Sequence, residues 1–349
     1  MNFMAFVVLT LWLAGVPAWG REFLTAQDFR SDRLSGFNLY TADTLHESDF
    51  IDLKSMGARI ARYHLRPSRC VNCDYFRFPA KGVQRFDQLL AWAENADVQL
   101  ILVLDPVPER ELSEIWTNPK LQDSIVKLWG LLAGAYKNNP TVAGYDIMNE
   151  PVPPASSSVA WEDKDPEQWR QLAQRIVAAI RAVDSRHVVF YEPSPLAAPH
   201  AFKTLRPLAD SNVVYTFHLY EPHRVTHQGI QGRPNGIRYP GAVPNIGVWD
   251  RNRLSQTIQP VREFSRKYGV PIMLTEFSCS RGAPGDSRER YLTDVLDLVG
   301  DEHWPWLYHG FRVWEGWDPE LPSNDRESRI RKADTPAIVL IKQRLGARK

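Results

Sequence analysis

Two stretches of the 349-residue chain place a glutamate directly behind a short apolar run. In Tyr145-Asp146-Ile147-Met148-Asn149-Glu150-Pro151 and in Pro271-Ile272-Met273-Leu274-Thr275-Glu276-Phe277 the run reads as a buried strand with the acid at its end. Prolines at 151, 153 and 154 keep the first strand from passing straight into a helix, so Glu150 falls at its C-terminal mouth with Asn149 beside it. Two carboxylates presented this way suit cleavage of a glycosidic bond, one protonating the leaving oxygen and the other attacking the anomeric carbon. Alone, Glu150 reads as a cap on the following turn. With Asn149 before it and Glu276 downstream, the chemical reading prevails.

Other polar residues fall where strands should end. Alternation in Ala58-Arg59-Ile60-Ala61-Arg62-Tyr63 puts Ala58, Ile60 and Arg62 on one face, pointing into a barrel; a salt-bridged barrel arginine is the common alternative, but the position of Arg62 five after Gly57 favours function. His218 and Tyr220 lie two apart and therefore share a face. Trp314 and Trp317 fit a sugar-stacking platform, Trp314 the more strongly, with core packing an equal reading for Trp317. His223 and His227 have the spacing of a metal pair but lack an H-E-x-x-H or carboxylate pattern, so neither metal nor cofactor is expected. Glu192, Glu221 and Glu315 are rival strand-end carboxylates, read as substrate contacts or ion pairs.

The elements that must hold these residues alternate strictly. Strands are expected over 34–40, 58–63, 98–104, 142–148, 187–191, 213–217, 271–277 and 307–314. Between them run helical stripes: 47–56; one through Phe86, Leu89, Leu90 and Ala93; one capped by Asn118-Pro119; and one capped by Asp165-Pro166. A short helix near 201–208, a stripe over 254–268 that Pro260 should kink or restart, and helices over 286–299 and 334–345 follow. Such alternation implies a parallel sheet. No G-x-G-x-x-G follows a strand, and the polar and aromatic residues sit after strands two, four, six, seven and eight. The expectation is therefore a single-domain (β/α)8 TIM barrel rather than an open sheet. Residues 221–249, rich in Gly, Pro, Arg and His, form the longest irregular stretch, and long loops of this kind are usually functional.

A 44% hydrophobic fraction with 12 Trp and 15 Phe suits a large core and an aromatic cleft. A formal charge of +1 gives no general case for nucleic acid or an anionic membrane. The first twenty residues carry no charged side chain, and the apolar run 3–16 ends before Ala18-Trp19-Gly20. That pattern reads as a secretory signal over 1–20 ahead of a catalytic domain over 21–349, in a periplasmic or secreted protein; an uncleaved anchor is the alternative. Cys70 and Cys73 fit a local disulfide, since zinc would require a second ligand pair, and Cys279 has no neighbour in sequence.

Asn149-Glu150-Pro151 ending strand four, His218-x-Tyr220-Glu221-Pro222 ending strand six, Thr275-Glu276-Phe277 ending strand seven and a Trp ending strand eight together resemble glycoside hydrolase family five, in clan A. Gly36-Phe37-Asn38, Gly57-x4-Arg62 and Thr226-His227-Gln228-Gly229 extend the resemblance from Gly36 to Leu345. It implies that Glu150 is the general acid/base, with a pKa raised by about 2 units from roughly 4.3. It implies equally that Glu276 is the nucleophile, kept ionised by hydrogen bonds from Arg62 and Tyr220. Asn149 would bond the sugar 2-hydroxyl, and retention would require carboxyl groups about 5 to 5.5 Å apart. The family's Asp-x-His after strand three is here Asp105-Pro106, which changes that wall of the cleft. The expected protein is a monomeric retaining hydrolase of β-linked poly- or oligosaccharides, cellulase-like, acting on β-1,4-glucan or a bacterial exopolysaccharide. β-Mannanase and exo-β-1,3-glucanase are enzymatic alternatives, and a non-catalytic carbohydrate-binding barrel is the alternative from another class. Arg224, Arg233 and Arg238 would suit an acidic sugar, though a solvated loop face accounts for them more simply.

Overall fold

The computed structural model describes residues 21–39, 44–69, 76–78, 80–105, 114–152, 167–230, 232–323 and 328–346. The expected signal at 1–20, the Cys70 and Cys73 pair, Pro106 and the Asp165-Pro166 cap lie outside the described residues. Eight parallel strands close into a barrel: β1 (Gly36–Leu39), β2 (Ile60–Leu65), β3 (Gln99–Leu104), β4 (Val142–Asp146), β5 (Val188–Tyr191), β6 (Val213–Leu219), β7 (Ile272–Phe277) and β8 (Trp306–Tyr308). Each strand pairs with its neighbour in sequence, and β8 closes the ring on β1 through Gly36↔Leu307 and Phe37↔Tyr308. The barrel expected from strict alternation is the one observed.

Two apolar layers follow from this closure. Inward side chains Ile60, Ile101, Ala143, Val188, Phe190, Val214, Met273 and Leu307 pack with Ala26 and Phe29 of the 3-10 turn Ala26–Arg30. The outward faces pack against helices α1 (Glu47–Ser55), α2 (Ala80–Asn95), α3 (Pro119–Tyr136), α4 (Glu167–Arg181), α5 (Arg251–Thr257), α6 (Gln259–Tyr268), α7 (Ser287–Asp301) and α8 (Pro336–Gly346). Strands buried on both faces read as continuous apolar runs, as in the Gln-Leu-Ile-Leu-Val-Leu of β3. At Gly36 and Gly144 a Cβ would stand 1.9 Å from the Ile60 carbonyl oxygen and 2.3 Å from that of Val188. These glycines let adjacent strands approach where a side chain would clash with the neighbouring backbone.

Local signals fared unevenly. Asn118 caps α3, its side chain accepting from the Lys120 amide at 3.0 Å, and the stripe at 254–268 does restart at Pro260, as α5 and α6. The expected helix at 201–208 is only the 3-10 turn Pro199–Lys203. Residues 221–249 contain a helical turn, His223–Thr226, and a hairpin of Gly241–Val243 with Gly247–Trp249. The Gln228 side chain ties this loop together: its amide donates to the Val225 and Ile237 carbonyls and its oxygen accepts from the Gly236 and Ile237 amides. The last strand was expected to reach Trp314 but stops at Tyr308. The His309 amide still bonds Phe277 O and the Phe311 amide bonds Asn38 O, after which Arg312 turns left-handed (φ 53°) and leaves the ladder. Phe311, Val313 and Trp314 continued the apolar run in sequence without continuing the strand. Among the described residues no helix is long and apolar enough to cross a membrane.

Candidate active site

Alternation on β2 aims Arg62 into the barrel, where it is fully buried at the carboxyl ends of the strands. Its Nε donates to Asp146 Oδ2 at 2.8 Å, Nη1 to Glu276 Oε1 at 2.8 Å and Asn38 Oδ1 at 3.0 Å, and Nη2 to Glu192 Oε1 at 2.6 Å and Asn149 Oδ1 at 2.8 Å. Arg62 thus does both things its sequence suggested, since it is salt-bridged and touches Glu276. A guanidinium taken this far from water needs such partners, and the surrounding carboxylates hold its pKa above the ordinary arginine value despite burial.

Glu276, on β7, is buried with both oxygens engaged. Oε1 meets Arg62, Oε2 accepts from the Tyr220 hydroxyl at 2.9 Å, and His309 Nδ1 stands 3.4 Å from Oε2. Burial alone would raise its pKa, but the cationic His218 and Arg62 close to it overcome this and hold it well below the usual carboxylate range. Glu150 contrasts with it. Its side chain keeps 34% exposure towards the cavity, its Oε1 lies 2.8 Å from His218 Nδ1, and burial in the walled site pushes its pKa up, with Glu276 and Glu192 adding to the effect. Within this one site the environment drives two carboxylates apart, which is the arrangement that separates a proton donor from an anion. One oxygen of each, together with a nitrogen of His218, lie within 4.8 Å of one another.

The strand carrying Glu150 ends at Asp146, two residues earlier than its apolar run suggests. The Asn149 amide is fixed to Leu104 O at 2.9 Å, and Glu150 itself adopts φ 44°, a region that non-glycine residues rarely occupy and that clusters at functional sites. His218 and Tyr220 do share a face, and both reach the cavity.

That cavity has a volume of about 520 Å³ and is lined by Asn149, Glu150, His218, Tyr220, Glu276, Trp314 and Trp317, so seven of the eight residues singled out in the sequence meet there, with Arg62 directly behind. Six of the nine histidines of the chain also line it: His64, His200, His218, His223, His227 and His309. Burial pushes His64 down, His227 to about 3 and His309 to about 4, so these rings are neutral at ordinary pH, whereas the carboxylates around His218 raise it well above the usual imidazole value in spite of burial. No lysine or arginine is among the described residues that line it. Arg224, Arg233 and Arg238 are not on the wall either, which favours the solvated-face reading of these side chains.

Along one side Tyr220 stacks on Trp317 (centroids 5.3 Å apart, 22° between planes), and Trp314 meets Trp317 edge-on at 5.1 Å. Trp314 is 37% exposed at the rim and lies over Gly316, where a Cβ would sit 1.9 Å from the indole. Since β8 ends early, the side chain at its mouth is His309, not a tryptophan. Two further residues, Asp146 and His64, carry no signal of their role in the sequence, and a third is only half specified there. Asp146 was quoted only as part of a strand, His64 shares the inward face of Arg62, and Glu192 was read as a general contact or ion pair. Glu192 proves to be an ion pair, fully buried against Arg62, and Tyr191-Glu192-Pro193 repeats the strand-Glu-Pro signal of Glu150-Pro151. Of the other rivals, Glu221 lines the cavity and Glu315 pairs with Arg329 at the surface.

Comparison with known proteins agrees with this architecture. The model of the family described as cellulase (glycosyl hydrolase family 5) matches residues 24–313. Endoglucanase C of Acetivibrio thermocellus is 23% identical over 267 residues, covering 67% of this chain and 75% of the relative. Among solved structures, the mutant form of Thermotoga maritima Cel5A in complex with cellobiose superposes with a TM-score of 0.74 at 19% identity, covering 91% of this chain and 99% of that one. The cellulose synthase subunit Z of Clostridioides difficile gives 0.71 at 18% identity, with 88% and 99% covered. With the family model running from before the first barrel strand through Arg62, Glu150 and Glu276, the chain belongs to the cellulase family, glycosyl hydrolase family 5, and is a glycoside hydrolase.

Proposed function

We propose that this protein is a retaining endo-β-1,4-glucanase in which Glu276 is the nucleophile and Glu150 the general acid/base. The observation that carries the reading is the approach of the two carboxylates to within 4.8 Å at their nearest oxygens. Retaining hydrolysis places such groups about 5 to 5.5 Å apart, whereas inversion leaves about 6.5 to 9.5 Å for an intervening water. In the first step Glu276 attacks the anomeric carbon while Glu150 gives its proton to the departing oxygen. In the second, Glu150, now a carboxylate, takes a proton from water as that water displaces Glu276. The Tyr220 hydroxyl and Arg62 stabilise the Glu276 anion before attack, and Asn149, held by Arg62, is placed to meet the sugar 2-hydroxyl. A wall rich in aromatic rings, with no lysine or arginine among the described lining residues, supports a neutral glycan over an acidic one.

Proton NMR of a cello-oligosaccharide digest should show the β-anomer first, with the α-anomer appearing only through mutarotation; an α-anomer as first product would end this assignment. A panel of soluble β-1,4-glucan, mannan, xylan and β-1,3-glucan should show the fastest turnover on β-1,4-glucan. We assign Trp314 as a rim platform for a sugar ring. In Gly316→Ala the new methyl displaces the indole, so KM on cello-oligosaccharides should rise by about 2- to 10-fold with kcat little changed, in line with roughly 0.5 to 1.5 kcal/mol for an aromatic contact. An unchanged KM would remove Trp314 from the binding surface.

A further inference from the structure

Behind the cavity lies a third carboxylate that the proposed reaction does not use. Glu192 follows β5, is fully buried, and is not among the residues lining the cavity. Both of its oxygens are committed: Oε1 lies 2.6 Å from Arg62 Nη2 and 3.2 Å from His218 Nε2, and Oε2 accepts the Glu150 amide at 2.6 Å. Its own carbonyl accepts from Trp169 Nε1 at 2.8 Å, which fixes the stem of the residue to α4. We propose that Glu192 is a positioning residue for the acid/base, one buried carboxylate that sets the main chain of Glu150, the guanidinium of Arg62 and the ring of His218 together. This rests on the reading of Glu150 as the acid/base.

Position is the first part of the argument. Glu150 sits at φ 44°, which costs of order 1 to 3 kcal/mol and persists only where the surroundings over-determine it. The Glu192 carboxylate holds its amide, and the loop that follows braces both sides. There the Leu196 amide bonds Pro151 O at 3.1 Å and Ala197 O accepts the His218 amide at 2.9 Å, with Leu196 and Ala197 themselves left-handed.

Charge is the second part. Around His218 stand Glu150 after β4, Glu192 after β5, Glu276 on β7, Arg62 on β2, Tyr220 on its own strand's mouth and His309 after β8. Arg62 and His218 as cations balance Glu192 and Glu276 as anions, while burial pushes Asp146 and Glu150 up towards their protonated forms. A negative charge at Glu192 favours the proton on both His218 and Glu150, so its removal lowers both.

Two variants separate the parts. Glu192→Gln keeps the shape and loses the charge. The alkaline limb of its kcat/KM profile on cellotetraose should move to lower pH by about one unit, since neighbouring charges at this range shift pKa values by about 1 to 3 units. The ¹⁵N titration of the His218 imidazole should move the same way. Glu192→Asp keeps the charge on an arm too short for the Glu150 amide, so kcat should fall by about 10-fold with the limb in place. A Gln variant whose alkaline limb and imidazole titration both lie within about 0.2 unit of the parent would overturn the proposal. If the Gln variant fails to fold, the Asp variant decides, and an unchanged kcat refutes the positioning role. The imidazole titration needs no turnover, so a parent protein that hydrolyses no glycan counts against the glucanase reading while the titration still decides the role of Glu192.

Discussion

Glu276→Ala is expected to lower kcat on β-1,4-glucan by about 10⁵-fold, the scale seen when an enzyme nucleophile is removed, and equivalent to roughly 7 kcal/mol of barrier. The reason lies in what else is within reach of the anomeric carbon. Asp146 and Glu192 face Arg62 from behind the cavity, and Glu150 is engaged with His218. None can substitute as the attacking group. The variant should nevertheless fold, because Arg62 retains Asp146 and Glu192, and it should bind cellotetraose with near-parental affinity by calorimetry. Retention of more than about 1% of parental kcat would place the nucleophile elsewhere.

Replacement of the acid/base should behave differently, and the difference identifies the role. In Glu150→Ala, kcat on glucan should fall by about 10²- to 10⁴-fold, the usual contribution of a positioned proton donor. A 2,4-dinitrophenyl cellobioside, whose leaving group departs without a proton, should still glycosylate Glu276 at near-parental rate and then stall, producing a burst. Azide should then rescue the second step by attacking the glycosyl-enzyme directly, with β-cellobiosyl azide as product. The pH profile supplies an independent check. Because the pKa of Glu150 is raised, its proton is lost as pH climbs through that value, so the parent's kcat/KM should fall on the alkaline side; because that of Glu276 is depressed, the acid limb lies far lower. On the activated substrate the variant should lack the alkaline limb. Equal losses on both substrates, with no azide product, would remove Glu150 from the acid/base role.

What the sequence makes legible follows from where periodicity breaks. Parallel strands buried on both faces read as apolar runs, so a carboxylate at the end of one stands out, as Glu150 and Glu276 do. Arg62 emerges because the alternation of β2 carries a cation inward with Ile60. The same uniformity hides the ends of strands. Phe311, Val313 and Trp314 prolong the pattern of β8 though the backbone has already turned at Arg312, and this conceals His309 as the group facing Glu276. Glu192 was visible as a strand-end acid, but its task is defined by contacts with β2, the turn after β4 and β6, and no local pattern specifies partners so distant in sequence. His64 and Asp146 share that limit, since an inward residue shows its purpose only once the ring has closed.

The guanidinium of Arg62 has a consequence for how the molecule comes apart. Through a single side chain, segments at the ends of β1, β2, β4, β5 and β7 are joined, so any fragment that omits the later strands carries a buried cation stripped of Glu192 and Glu276. Asp146 remains in such a piece, but removing partners of a buried charge typically destabilises a fold by about 3 to 5 kcal/mol, comparable with the whole stability of a small domain. Half-barrels cut after β4 should therefore be poor autonomous folders, and reassembly from two pieces should restore compactness and hydrolysis in the same event.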